Sequence, residues 1–321
     1  MQKYIHLFGG DSSRVTVFGQ SAGAGSIMHQ ITAYGGLERH SPFQQAILQS
    51  PGFQPFPGHW EQDQLLHSFL NLLNVSTIDE ARQLPYETLS AANIEIVAGS
   101  PYGTFTFAPA VDGTFVPALP GSLLAQGSFD KSLKIMTGFN ADETLFFTDR
   151  SNTNDSVFIS GLERTFPNIR TSILDFIDNT LYPQIFNGSE PYASFFDRSK
   201  LSLAEAAFTC NSYFLQKAFR SLSNTYGYRF SVPPAYHGED VPYTYFNGPS
   251  SSVVNDTIAL AMQKYLMSFA LTGDPNAQAI VKMPIYGQQD LILDLNVTGI
   301  VPIKDPNANS RCDWWQKALY Y

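Results

Sequence analysis

The chain has 321 residues, 44% of them hydrophobic, and carries a formal net charge of −9. That much apolar material allows a large core in one α/β unit, whereas the acidic balance excludes a nucleic-acid partner, which needs a basic face. No run of about eighteen apolar residues occurs, so no membrane span is expected, and no period of about 20–50 residues marks a repeat protein.

In chain order, residues 2–8 (QKYIHLF) read as the end of a helix stopped by Gly9 and Gly10. VTVF (15–18) is a short buried strand, and AGAGSIMHQI after it begins a helix. QAILQS (45–50) is the next strand, and apolar spacing turns helical from about 59 to 98. LKIMTG (133–138) is a further strand, ending at Asn140. Amphipathic helices fill 160–225, and YRFSV (228–232) is a strand leading into PAYHGEDVPY. The clearest helix is 256–272, where Ile258, Ala261, Met262, Tyr265, Leu266 and Phe269 form one apolar face, with Gly273 and Pro275 as the stop. Short apolar strands separated by helices imply a mostly parallel sheet covered on both faces. No linker divides the chain, so residues 1–321 read as a single domain with a helical insertion around 144–225.

Two features bear on compartment. The first residues lack the basic start and apolar middle of a secretory signal. Five N-x-S/T sequons nonetheless occur, at Asn74, Asn154, Asn187, Asn255 and Asn296, where ordinary composition gives about two. The two cysteines, Cys210 and Cys312, fit two buried thiols on spacing alone.

The chemistry centres on GQSAG, residues 19–23. A serine between glycines, after a strand and before a helix, has the context of a nucleophile elbow, in which Ser21 sits on a strained turn. Gly19 and Gly23 are then expected to lack side chains because strand and helix backbones nearly touch. A serine hydroxyl needs a base to take its proton and an acid to orient that base, in the chain order Ser, Asp/Glu, His. Of the histidines His6, His29, His40, His59, His67 and His237, only His237 follows a further strand, in a loop beside Gly238. The acid lies in KIMTGFNADE, as Asp142 or Glu143; periodicity does not choose between them. No Cys/His cluster with metal spacing is visible, so neither metal nor cofactor is expected.

FGGDSSRVTVFGQSAGAGS, AILQSPG, FAPAVDGTFVPALP, TGFNADETLFF, AYHGEDVPY, FALTGDPN and CDWWQ follow one another in register along nearly the whole chain. In this series the chain resembles the type B carboxylesterases, the family of cholinesterases and fungal secreted lipases. The resemblance implies an α/β-hydrolase fold and Ser21 as nucleophile, Glu143 as acid and His237 as base. It further implies the Ala22 N–H as an oxyanion-hole donor, a Cys210–Cys312 disulfide, and a secreted glycoprotein acting on a small-molecule or lipid ester. Against the family pattern the chain starts late, and the first strands of the sheet and an H-G-G-G-type loop are expected to be missing. Only the Gly9-Gly10 and Gly35-Gly36 pairs stand in for that loop, and neither follows a suitable strand. With Ala22 as sole donor, slow or absent ester hydrolysis is expected, since one lost donor costs about 10²–10³ in turnover. An inactive fragment and a non-catalytic binding protein on the same fold are the alternatives, and the triad alone does not separate ester from amide. Phe105 and Phe107 read either as acyl-pocket residues or as ordinary core aromatics.

Overall fold

The computed structural model describes residues 1–37, 41–56, 58–222 and 225–320, so His40 lies outside the described residues. Its centre is a six-stranded sheet: β1 (Thr16–Gln20), β2 (Gln45–Gln49), β3 (Lys134–Asn140), β4 (Tyr226–Phe230), β5 (Leu291–Asn296) and β6 (Gly299–Lys304). The strands lie side by side in chain order, β1 to β5 parallel and β6 antiparallel to β5. Among the described residues β1 pairs with β2 alone.

Alternation along the strands builds a core on each side. Ala46, Leu48, Ile135 and Phe139 join one buried cluster, while Ile47, Met136, Tyr228 and Phe230 join the other. Successive side chains point to opposite faces, and both faces are covered, so β2 is buried at every position.

The helices are α1 (Ala22–Ile31), α2 (Trp60–Leu72), α3 (Ile78–Ala81), α4 (Tyr86–Gly99), α5 (Pro120–Gln126), α6 (Asp155–Thr165), α7 (Thr171–Phe176), α8 (Phe195–Ala204), α9 (Cys210–Phe219), α10 (Val241–Thr244), α11 (Asp256–Thr272) and α12 (Ser310–Trp315). α11 has the bounds its periodicity predicts. Asn255 caps its start by accepting from the Ile258 N–H, and Gly273 ends it in the left-handed region at φ 76°. α6 to α9 lie between β3 and β4, where amphipathic helices are expected.

Two elements differ from expectation. Residues 5–8 form a 3₁₀ turn rather than an α-helix end, with Leu7 and Phe8 exposed. Gly9 still ends it in the left-handed region. The β5–β6 hairpin is an addition: LILDL is too short an apolar run to assign by periodicity, and Pro302 suits β6 only because that strand is at an edge.

Cys210, at the start of α9, and Cys312, in α12, are bonded with Cα atoms 5.2 Å apart. Both are fully buried. The bridge that the resemblance implies is thus present, and the thiol reading suggested by spacing is replaced by it.

Candidate active site

Ser21 sits where β1 turns into α1, at φ 57° and ψ −125°, a left-handed conformation that a non-glycine residue adopts only under constraint. The constraint is visible. The Ser21 N–H donates to the Gln49 carbonyl at the end of β2, at 2.9 Å. Its own carbonyl accepts from Gly25 (2.9 Å) and Gly52 (3.2 Å). Ala22 is the first residue of α1, so its N–H is among those at a helix start that no intrahelical carbonyl satisfies.

The two flanking glycines are not equivalent. A Cβ on Gly19 would fall 2.6 Å from the Gly23 carbonyl carbon and 2.8 Å from the Ala24 nitrogen, both backbone atoms. A Cβ on Gly23 would meet nothing within 4 Å, so the expectation for Gly23 is corrected: its Cα–H vector points into open space. The close approach is instead repeated at Gly25, whose Cβ would lie 2.3 Å from the Gly52 carbonyl oxygen. Gly19→Ala is therefore expected to destabilise by about 1–3 kcal/mol, as overpacked sites do, and to displace Ser21. Gly23→Ala is expected to be neutral or stabilising by up to about 1 kcal/mol, because it only restricts the unfolded chain. Paired thermal melts check both; equal losses would refute the asymmetry.

The acid and base meet at the carboxyl ends of β3 and β4. His237 Nδ1 lies 2.5 Å from Glu143 Oε2, and the second carboxylate oxygen of Glu143 accepts from the Asn140 N–H at 2.6 Å. Glu143 is 2% exposed. Asp142, the other candidate, turns outward and pairs with Lys200 Nζ at 2.7 Å. Because the Glu143 carboxylate only accepts, Nδ1 carries the ring proton and Nε2 presents a lone pair.

That lone pair is taken. Gln20 Nε2 lies 3.2 Å from His237 Nε2 and donates to it. Ser21 makes no hydrogen bond to His237 among the described residues. The serine–histidine bond that the triad order implies is thus not formed, and His237 Nε2 is bonded instead by the serine's own neighbour. Gln20 occupies the variable position of the G-x-S-x-G pattern, so nothing in the sequence singled it out.

Aromatic rings enclose the base. Phe208 and Phe147 lie 4.7 and 5.5 Å from the His237 ring, centroid to centroid. Phe105 packs on both, at 6.1 and 5.4 Å. Phe105 thus belongs to the wall of the site, whereas Phe107 is 49% exposed and is not a core residue. Gly52 makes room for Phe208: a Cβ there would fall 2.3 Å from the ring. No group of three or more His, Cys, Asp or Glu side chains suited to a metal ion occurs among the described residues.

Comparison with known proteins agrees with this architecture. The chain is 40% identical, over its full length, to the carboxylesterase patB of Aspergillus clavatus, of which it spans 57%. It is 27% identical over 99% of its length to a secreted lipase of Arthroderma benhamiae, of which it spans 63%. The chain thus covers under two thirds of the length of these curated relatives. The solved structure of Aspergillus niger EstA superposes on 98% of the chain with a TM-score of 0.83 at 23% identity, a likeness that shows the α/β-hydrolase fold. The sequence pattern of the Carboxylesterase family matches residues 1–315, and the chain belongs to that family.

Proposed function

We propose that the chain carries the catalytic half-site of a serine hydrolase acting on carboxylic esters of small molecules or lipids. The observations that carry this reading are the hydrogen bond between His237 and the buried Glu143, and Ser21 on its strained elbow next to Gln20, which reaches His237. In the proposed cycle, His237 Nε2 leaves Gln20, accepts the Ser21 proton, and Oγ attacks the acyl carbon. The tetrahedral oxyanion faces the Ala22 N–H. His237 then returns the proton to the leaving alcohol, and water releases the acyl group by the same steps in reverse order. Glu143 stabilises the imidazolium without taking its proton. Hydrolysis of p-nitrophenyl butyrate tests the reading: saturable release lost in His237→Ala supports it. Release that His237→Ala leaves unchanged refutes it.

A second reading, a non-catalytic binding protein on this fold, is favoured by one observation: Gln20, not Ser21, holds the base. Tight binding of an ester without its cleavage would support that reading.

We further propose a single domain with a helical insertion around 144–225, in a secreted glycoprotein. Support comes from the sequons, the disulfide and the secreted relative. Among the described residues no helix is long and apolar enough to cross a membrane. Asn74, Asn154 and Asn187 are exposed. Asn154 caps α6 through Oδ1, a bond that does not engage Nδ2, the glycan attachment atom. Asn255 Nδ2 and Asn296 Nδ2 instead donate to Val297 O and Asp294 Oδ2, each at 3.4 Å. Glycopeptide mass spectrometry of the secreted chain is expected to find the first three occupied and the last two largely bare; the reverse order would contradict this.

A further inference from the structure

Beneath the Glu143–His237 pair lies a second carboxylate. Asp240, three residues after the histidine and just ahead of α10, is fully buried. Its Oδ2 accepts from Gln49 Nε2 at 2.8 Å and from the Tyr228 hydroxyl at 2.9 Å, and its Oδ1 faces Asn140 Nδ2 at 3.4 Å. β2, β3 and β4 each send one residue to this acid.

Two details make the arrangement specific. Tyr228 pairs in register with Gly138, and a Cβ at 138 would fall 2.1 Å from the tyrosine ring. Only glycine leaves the ring room to lie across β3 and bring its hydroxyl to Asp240. Asn140, in turn, serves two acids at once: its N–H donates to Glu143 and its side-chain amide to Asp240. The Asn140 side-chain oxygen Oδ1 is buried without a partner.

We propose that Asp240 is a positioning residue of the site, a second buried acid whose charge, relayed by Asn140 and by the low-dielectric interior, favours the imidazolium that forms on His237. The inference rests on the hydrolase reading above.

The charged and titratable groups facing Asp240 are Glu143 from the loop after β3, His237 from the loop after β4, and Tyr228 on β4. Gln49, Asn140 and Thr244 complete the shell and are neutral. Burial, followed by the Glu143 charge, pushes Asp240 up to about 6, against the bonds from Tyr228 and Asn140 and the pull of His237. Coupling between sites is reciprocal. If a charged His237 favours ionised Asp240, ionised Asp240 favours charged His237 by the same amount. The carboxylate is present above about pH 6 and lost as pH falls through that value. Turnover then loses the contribution of Asp240 as pH falls through that value.

The experiment compares the pH profile of kcat/KM, and the ¹⁵N titration of the His237 ring, in the chain and in Asp240→Asn and Tyr228→Phe. The chain is expected to show an acid limb steeper than one proton and a His237 curve broader than a single site, as coupled groups do. Asp240→Asn is expected to show a one-proton limb, a single-site His237 curve, and kcat lowered about tenfold at unchanged KM, within the range of such couplings. Tyr228→Phe, which removes a bond that favours ionised Asp240, is expected to move the second inflection above pH 6. Identical limb shapes and identical His237 curves in all three proteins would overturn the proposal. If no protein cleaves ester, the hydrolase reading fails, and the His237 curves still decide the role of Asp240. If Asp240→Asn does not fold, the direction of the Tyr228→Phe shift decides it.

Discussion

Replacing Ser21 by alanine is expected to remove ester turnover and, with it, covalent labelling by a fluorophosphonate. Loss of a triad nucleophile costs about 10⁴–10⁶ in kcat, because the remaining groups only bind and polarise the ester. Phosphonate labelling separates this from a binding defect, since the adduct forms on Oγ and is read as a mass shift on the Ser21 peptide. Ser21→Ala keeps a Cβ, so the backbone strain at φ 57° stays and the melting temperature is expected to hold. Ser21→Gly is different. It abolishes turnover equally and relieves the left-handed penalty, roughly 1–2 kcal/mol, so this variant is expected to melt higher than the parent. A dead, more stable Ser21→Gly protein would identify the elbow as strain retained for chemistry. Labelling that persists in Ser21→Ala would remove Ser21 from the mechanism.

The disulfide carries the next largest effect. Cys210 and Cys312 are 102 residues apart, and the loop between them holds β4, His237, α11 and the β5–β6 hairpin. In the chain-entropy model, closing a loop of this length stabilises by about 4–5 kcal/mol. Cys210→Ala with Cys312→Ala is expected to lower the melting temperature by about 7 °C, at roughly 1.5 °C per kcal/mol for a chain of this size, from about 2.1 cal/mol/K of unfolding entropy per residue. Both sulfurs are fully buried, so a reductant is expected to leave the native protein intact and to act only as it opens. A double alanine variant melting within about 2 °C of the parent would show that the native packing of α9 on α12 does without the bridge.

How far the sequence led is clearest at particular residues. The strand–serine–helix order around Ser21 and the one-faced periodicity of α11 were legible because each depends on local pattern alone. Glu143 was not separable from Asp142 by pattern; only the family resemblance chose it, and the structure shows one buried on His237 and the other paired with Lys200. Gln20 and Asp240 were invisible. A glutamine at a variable motif position and one acid among many carry no signal until the sheet sets them against His237. Gly23 misled because a motif glycine does not reveal which way its missing Cβ would point. β6 escaped because its role as an antiparallel edge is a property of the completed sheet.

The register of β3 on β4 pairs Met136 with Tyr226, 90 positions further along the chain. Glu143 and His237 each follow one of these strands, so their contact is a long-range event in folding. Chains of this kind close slowly, because loop-closure entropy is lost before the contact rewards it. Helical signal in a refolding trace is therefore expected to return well before the acid finds its base. Any partly assembled species with native helix content would be chemically silent, and regain of activity would time the last docking of β4 rather than the collapse of the chain.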